Sequence, residues 1–280
     1  MPIRSPKTKS RCAVIEALAL LASLIVVAAL VSALPTLGSS QRRRPRQKQA
    51  FPTSAQVARA RHFARSRQGS VSFTVSDSHG RRYDLDGDRQ FVSASVAKAM
   101  LMTCFLNTKT LDHQQLTATD RSELRAMITV SDNDAANWVY NQVGDAHLAF
   151  LAQRLGMRHF SVAGYWGYAQ LTTNDQALLM SKLDRAVYPR YRRYARSLLS
   201  SIVSWESWGI PQVARPLGWK VFFKGGWRGT ARGQLVHQVA RLERRNEVIV
   251  ICVMTDGDPS QSYGEETIAG IARNLLRSHR

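Results

Sequence analysis

Acidic residues are scarce in this sequence, and cysteines scarcer. Twenty Asp+Glu stand against 39 Lys+Arg in 280 residues, a formal net charge of +19. That excludes an acidic disordered tail and asks for an anionic partner: nucleic acid, a phospholipid surface or an anionic wall polymer. Three cysteines are too few for a disulfide-stapled miniprotein, and the composition is not that of a fibrous protein. Neither the cysteines nor the seven histidines show metal-ligand spacing, so no metal and no cofactor is expected. No internal repeat is present. What is present is 44% hydrophobic residues and six tryptophans, enough for a real core in one domain or two small ones.

One long apolar run exists, from Ala17 to Leu34, with no charge inside it. Arg4, Lys7, Lys9 and Arg11 precede it, and QRRRPRQKQ follows from Gln41. At a helical rise of roughly 1.5 Å per residue such a run just spans a hydrocarbon core. It reads as either a signal peptide or a signal anchor. Val31-Ser32-Ala33 resembles a cleavage site and favours removal, whereas the length favours retention. The expectation is an extracytoplasmic protein, secreted or anchored to the cell membrane by residues 17–34, with residues 1–50 as targeting segment plus basic linker. Those first 50 residues hold nine basic residues and one acid, so +8 belongs to them and +11 to the rest. Anionic lipid or wall polymer thereby becomes a nearer partner than nucleic acid. The cluster Arg185, Arg190, Arg192, Arg193 and Arg196, interleaved with Tyr188, Tyr191 and Tyr194, reads as a solvated basic helix face rather than a base-stacking surface.

Residues 51–280 read as a single α/β (α+β) domain. A helix over 56–67 leads into the alternating strand Val71 to Val75, a turn at Asp77-Ser78-His79-Gly80 and a return strand at 83–85. Ser95 to Leu106 is apolar nearly all round except Lys98, which predicts a buried helix. Helical patterns continue over 124–129, 135–143, 148–155, 177–186 and 196–203. Two strands, 235–242 and 248–255, flank an Arg244-Arg245-Asn246 turn, and a helix over 265–276 closes the chain. Strands at both ends with helices between imply an antiparallel sheet lobe flanked by N- and C-terminal helices, with an inserted all-helical lobe. Cys12 precedes the apolar run; Cys104 and Cys252 could pair, but two separately buried thiols fit their apolar surroundings better. His237 is read as a packed or surface histidine.

Three short motifs occur in order: Ser95-Val96-Ala97-Lys98, Ser131-Asp132-Asn133 and Lys224-Gly225-Gly226. An SxxK alone is expected by chance about 0.7 times in a chain of this composition, whereas all three in order are expected in roughly one chain per thousand. A serine hydroxyl needs a base to become a nucleophile. Residues three apart on a helix share a face, so Lys98 can aim its amine at Ser95. Its apolar neighbours predict a desolvated amine with a lowered pKa. Were Ser95 to open its helix, its backbone N–H would supply half of an oxyanion hole. Ser95, Lys98 and Ser131 are thus the candidate catalytic residues, Ser131 relaying a proton to the leaving group. Asn133 would bind a substrate amide, and Lys224 would offer charge to a substrate carboxylate. Gly226, Trp227 and Thr230 complete the candidate substrate-binding set.

At these residues the chain resembles the class A β-lactamase and penicillin-binding protein superfamily, particularly its actinobacterial-type serine hydrolase branch. The resemblance runs from about Phe51 to the C-terminus and includes ASVAK, MITVSDNDAANWV and KGG. It implies a sheet lobe and a helical lobe with the site between them, and acyl-enzyme chemistry on β-lactams or D-alanyl peptides outside the cytoplasmic membrane. Three departures stand out. The family's deacylating glutamate, in a loop after SDN, has no counterpart, because residues 156–174 contain no acid; they carry Tyr165, Trp166 and Tyr168 instead. Asp175 reads as a helix N-terminal residue. The threonine of KTG is Gly225, so a hydroxyl that helps hold the substrate carboxylate is missing unless Arg228 or Thr230 substitutes for it, and Ser95 and Ser131 are separated by only 36 positions. The leading expectation is an exported acyl-serine hydrolase. The alternative is a catalytically weak or inactive homologue that binds penicillin or peptidoglycan, and a nucleic-acid binder would rest on charge alone.

Overall fold

The computed structural model of the protein describes residues 51–277. The apolar run at 17–34, its signal or anchor reading, the basic linker and Cys12 all lie outside them. Among the described residues no helix is long and apolar enough to cross a membrane.

The chain enters through α1 (Ser54–Arg65), whose first turn is closed by a Thr53–Gln56 capping box. It then forms β1 (Ser70–Asp77), β2 (Arg82–Leu85) and the two-residue β3 (Phe91–Val92). A 3₁₀ turn, Ala94–Ala97, runs directly into α2 (Lys98–Leu111). The helical lobe continues with α3 (Ala118–Thr129) and α4 (Asn133–Leu155), the latter broken at Gly144 (φ +69°) into the two halves that the sequence pattern separates. A 3₁₀ turn at Trp166–Tyr168 precedes β4 (Gln170–Leu171), α5 (Thr173–Ser181) and α6 (Leu183–Ala186). After α7 (Arg192–Ser200) come a 3₁₀ turn at Ser204–Glu206 and α8 (Ile210–Ala214). The long strands β5 (Lys220–Thr230), β6 (Gly233–Arg244) and β7 (Glu247–Asp258) and helix α9 (Gln261–Leu276) end the chain.

The sheet runs β2-β1-β7-β6-β5, antiparallel throughout, so β1 from the start of the domain pairs with β7 near its end. This is the sheet lobe with inserted helices that the sequence implies. Strand alternation sends successive β6 side chains to opposite faces. A Cβ on Gly264 of α9 would meet Val236, whereas its neighbour His237 reaches Val92 across the other face, and Arg241 reaches the carbonyls of Met180 and Ser181 at the end of α5. With helices on both faces, β7 is buried from Ile249 to Thr255 without interruption. Cys104 and Cys252 are separate buried thiols, and burial pushes both well above the usual thiol range.

In the arginine cluster, Arg196 bridges Asp184 and Glu243. Arg190, Arg192 and Arg193 instead line an open surface cavity of about 780 Å³ with Arg121 and Tyr194. None of the three motifs contributes to it.

Candidate active site

The approach to Ser95 is held from three directions. β3 pairs with β4 through Phe91–Leu171 and Val92–Gln170. Ser93 donates its N–H to Ala169 O at 2.8 Å and its hydroxyl to Trp166 O at 2.8 Å. On the sheet side the buried His237 sits with Nε2 2.9 Å from Val92 O and Nδ1 accepting from the Thr255 N–H at 3.3 Å. Burial lowers this imidazole to about 4, so it is neutral with its proton on Nε2. After these anchors Ala94 takes φ +45°, a left-handed conformation disfavoured for a residue with a Cβ. It turns the chain into the 3₁₀ segment carrying Ser95. Side chains three apart eclipse in such a turn, which sets Ser95 and Lys98 on one side.

Lys98 is fully buried. Its ammonium donates to Ser131 O at 2.5 Å and Asn133 Oδ1 at 2.9 Å, and lies 3.3 Å from Ser131 Oγ. The Trp166 ring covers it, with Nζ 4.8 Å from the ring centroid. Desolvation, and then the nearby Lys224 charge, lower the amine from 10.5 to about 7, while Glu206 and Asp132 pull the other way. Ser131 adopts φ +55° in the short link between α3 and α4, which turns both its carbonyl and its hydroxyl to Lys98. Asp132 accepts from the Ala135 N–H at 2.8 Å and so caps α4. Lys98, Ser131 and Asn133 are therefore directly bonded. Ser95 Oγ is joined to none of them among the described hydrogen bonds, although the Ser95 carbonyl accepts the Lys98 backbone N–H within the turn.

β5 is an edge strand that passes this turn. A Cβ on Gly226 would lie 2.7 Å from Ser95 N and 2.8 Å from Val96 N, so only glycine lets the strand approach those N–H groups. Lys224, two residues earlier, is wholly buried and donates to Glu206 Oε2 at 3.1 Å; Glu206 is equally buried. Burial pushes the Lys224 amine below its ordinary value despite that partner. Gly225 lies under Trp208, whose Cζ2 would be 3.1 Å from a Cβ there, and Trp208 meets the half-buried Trp227 edge-to-face at 6.0 Å. Thr230 is spent on the β5–β6 turn, its hydroxyl 3.3 Å from Gly233 O. Arg228 stacks on Tyr168, 4.6 Å from the ring centroid.

The loop that carries no acid places Trp166 over Lys98, pinned by an indole N–H bond to Asn137 Oδ1 at 2.9 Å. Tyr165 packs on Trp166 and Tyr168 at 5.3 and 5.4 Å. Asp175 sits in the first turn of α5, where Thr172 caps the helix, and its carboxylate accepts the Arg158 and His159 N–H groups at 3.0 Å each. It is a structural brace for this loop. Sequence reasoning missed Glu206, the anchoring role of His237 and the β3–β4 ladder. Glu206 stands among tryptophans with no periodic pattern, and nothing in the sequence links it to a lysine 18 positions on. The ladder is two residues long, too short for an alternation to register.

Comparison with known proteins completes the picture. No curated protein matches the chain. The fold is similar to a β-lactamase from Sphaerobacter thermophilus, with a TM-score of 0.69 at 22% identity, covering 78% of this chain and 94% of that one. It is also similar to a β-lactamase from Xanthomonas campestris, with a TM-score of 0.66 at 17% identity over 79% and 96% of the two chains. The structure of PBP-A gives a TM-score of 0.68 at 18% identity over 80% and 95%. At these identities the likeness is one of fold. The model of the beta-lactamase enzyme family matches residues 108–278, a stretch that holds SDN and KGG but begins after Ser95 and Lys98. With more than half of its length matched, the chain belongs to the beta-lactamase enzyme family.

Proposed function

We propose that the protein is an exported serine hydrolase that forms an acyl-enzyme at Ser95 with β-lactams or D-alanyl-peptide-like amides and releases it slowly. The observation that carries this reading is the buried Lys98 amine, lowered to about 7 and held between Ser131 and Asn133 one turn from Ser95. At neutral pH about half of such an amine is unprotonated and available as a base. In acylation Ser95 Oγ bonds to the substrate carbonyl carbon and its proton passes to Lys98 Nζ. The oxyanion is stabilised by the Ser95 N–H at the head of the turn. As the tetrahedral intermediate collapses, the leaving nitrogen takes its proton through the Ser131 hydroxyl, 3.3 Å from Lys98.

Deacylation needs a second base beside a water. The loop over the site offers Trp166 in that place, and residues 156–174 contain no carboxylate. This supports slow turnover, the behaviour of a penicillin-binding protein more than of an efficient β-lactamase. Export, through the segment at 17–34 acting as signal or anchor, sets the chemistry outside the cytoplasmic membrane. There peptidoglycan-derived substrates are at hand, and the basic excess faces anionic lipid and wall polymer.

Burst kinetics test the reading. Wild-type protein mixed with a fluorescent penicillin or an activated ester should label stoichiometrically and turn over slowly, and Ser95→Ala should not label. Equal behaviour of the two proteins would return the chain to the alternative, an inactive peptidoglycan-binding homologue.

A further inference from the structure

The Lys224–Glu206 pair bears on what the site accepts. This inference rests on the acyl-serine reading and orders its substrates, placing uncharged esters and amides ahead of the carboxylate-bearing β-lactams and D-alanyl peptides. Lys224 is the cation that a carboxylate-bearing substrate would need. Here it is 0% exposed and bonded at 3.1 Å to Glu206, also 0% exposed. The two charges cancel within the wall of the site, and neither presents a surface to a ligand. A hydroxyl to assist a carboxylate is missing next door as well. Position 225 is glycine, and the Trp208 indole fills the space where a side chain would begin, 3.1 and 3.3 Å from an ideal Cβ. Thr230, five residues beyond, uses its hydroxyl in the hairpin turn.

The rest of the electrostatic environment points the same way. Lys98 counts as neutral when it acts as base, and the exposed Asp132 beside it is an acid. The nearest free cation on β5, Arg228, lies on the Tyr168 ring and donates to its hydroxyl at 3.3 Å. The other flanking groups are aromatic: Trp208, Trp227, Trp166 and Tyr165. An anion entering here would be desolvated against apolar rings and a cancelled ion pair, which is costly.

We infer that Glu206 is a specificity-determining residue: by neutralising Lys224 it removes the preference for a carboxylate beside the scissile bond, so that esters or amides without one acylate Ser95 at least as fast as those that carry one. The test compares acylation rates of Ser95 by a penicillin and by the methyl ester of the same penicillin, followed by intact-protein mass. In wild type the ester should acylate at least as fast as the free acid. Glu206→Gln removes the carboxylate that sustains the Lys224 charge, so an incoming carboxylate becomes the partner with which the amine recovers its proton, and the acid-to-ester rate ratio should rise about tenfold or more. Using a ratio removes any common effect of the variant on Lys98.

Wild-type protein that prefers the free acid by about tenfold overturns the inference, and that measurement stands even if the variant does not fold. A folded Glu206→Gln protein with an unchanged ratio overturns it too. Failure of both probes to acylate Ser95 would instead remove the acyl-serine reading beneath it, a distinguishable outcome.

Discussion

Lys98→Met separates a neutral buried lysine from a charged one without needing a substrate. The folded amine is lowered to about 7 by burial and by Lys224, whereas a lysine in the unfolded chain titrates near ~10.4. Between those values the unfolded state binds a proton that the folded state does not. Stability of the wild type therefore rises with pH across this window, by about 1.4 kcal/mol per unit, relative to a variant lacking the group. Above the unfolded value the penalty is gone; below pH 7 it is complete, roughly 4–5 kcal/mol. From about pH 7.5 to about pH 9.5 the difference between wild type and Lys98→Met should shift by about 2.5 kcal/mol in favour of wild type. Methionine leaves Ser131 O and Asn133 Oδ1 without their donor, a loss that is the same at every pH and so does not affect the slope. Urea unfolding of both proteins at a series of pH values gives the comparison, and titrating groups that are not coupled to Lys98 cancel between them. Parallel pH dependences would refute the reasoning, because they would mean that Lys98 stays protonated in the fold.

Further outcomes follow from the same geometry. The rate of Ser95 acylation should climb about tenfold per pH unit below 7 and level off above it, since only the unprotonated Lys98 accepts the serine proton; stopped-flow labelling gives the profile. Gly226→Ala puts a methyl group 2.7 Å from Ser95 N, which must displace either β5 or the turn; acylation should slow by about 100-fold or more while circular dichroism stays native. His237→Phe leaves Val92 O and the Thr255 N–H unpaired inside the protein, and the midpoint in urea should report a loss of about 2–4 kcal/mol.

The division into sheet lobe and helical lobe was legible because β1, β6 and β7 carry long apolar or alternating runs and the helices between them carry helical spacing. That one sheet joins strands from the start and the end of the domain followed from where the strands fall along the chain, while the specific pairing of β1 with β7 came from the structure. Of the site, the part written in local spacing could be read: Ser95 and Lys98 three apart on one turn, and Ser131 and Asn133 in one short motif. Contacts between distant segments could not. The Ser93 bonds to the Trp166 loop, the His237 bond to Val92 and the Glu206 pairing with Lys224 each join stretches with no shared pattern. Lys224 shows the consequence. Its place in a motif suggested an open cation, whereas three-dimensional packing buried it against a carboxylate that no spacing rule marks.

Acylation of Ser95 with Lys98 as its base, followed by slow release of the acyl group, changes the mass of the protein. Mass spectrometry of the intact protein after brief exposure to an activated ester or a penicillin, followed by peptide mapping after the reagent is removed, addresses it directly. One acyl group per protein is expected, located on the peptide containing Ser95 and persisting over many minutes, and none in Ser95→Ala. Folded protein that gains no mass, or gains it on a residue other than Ser95, would contradict it.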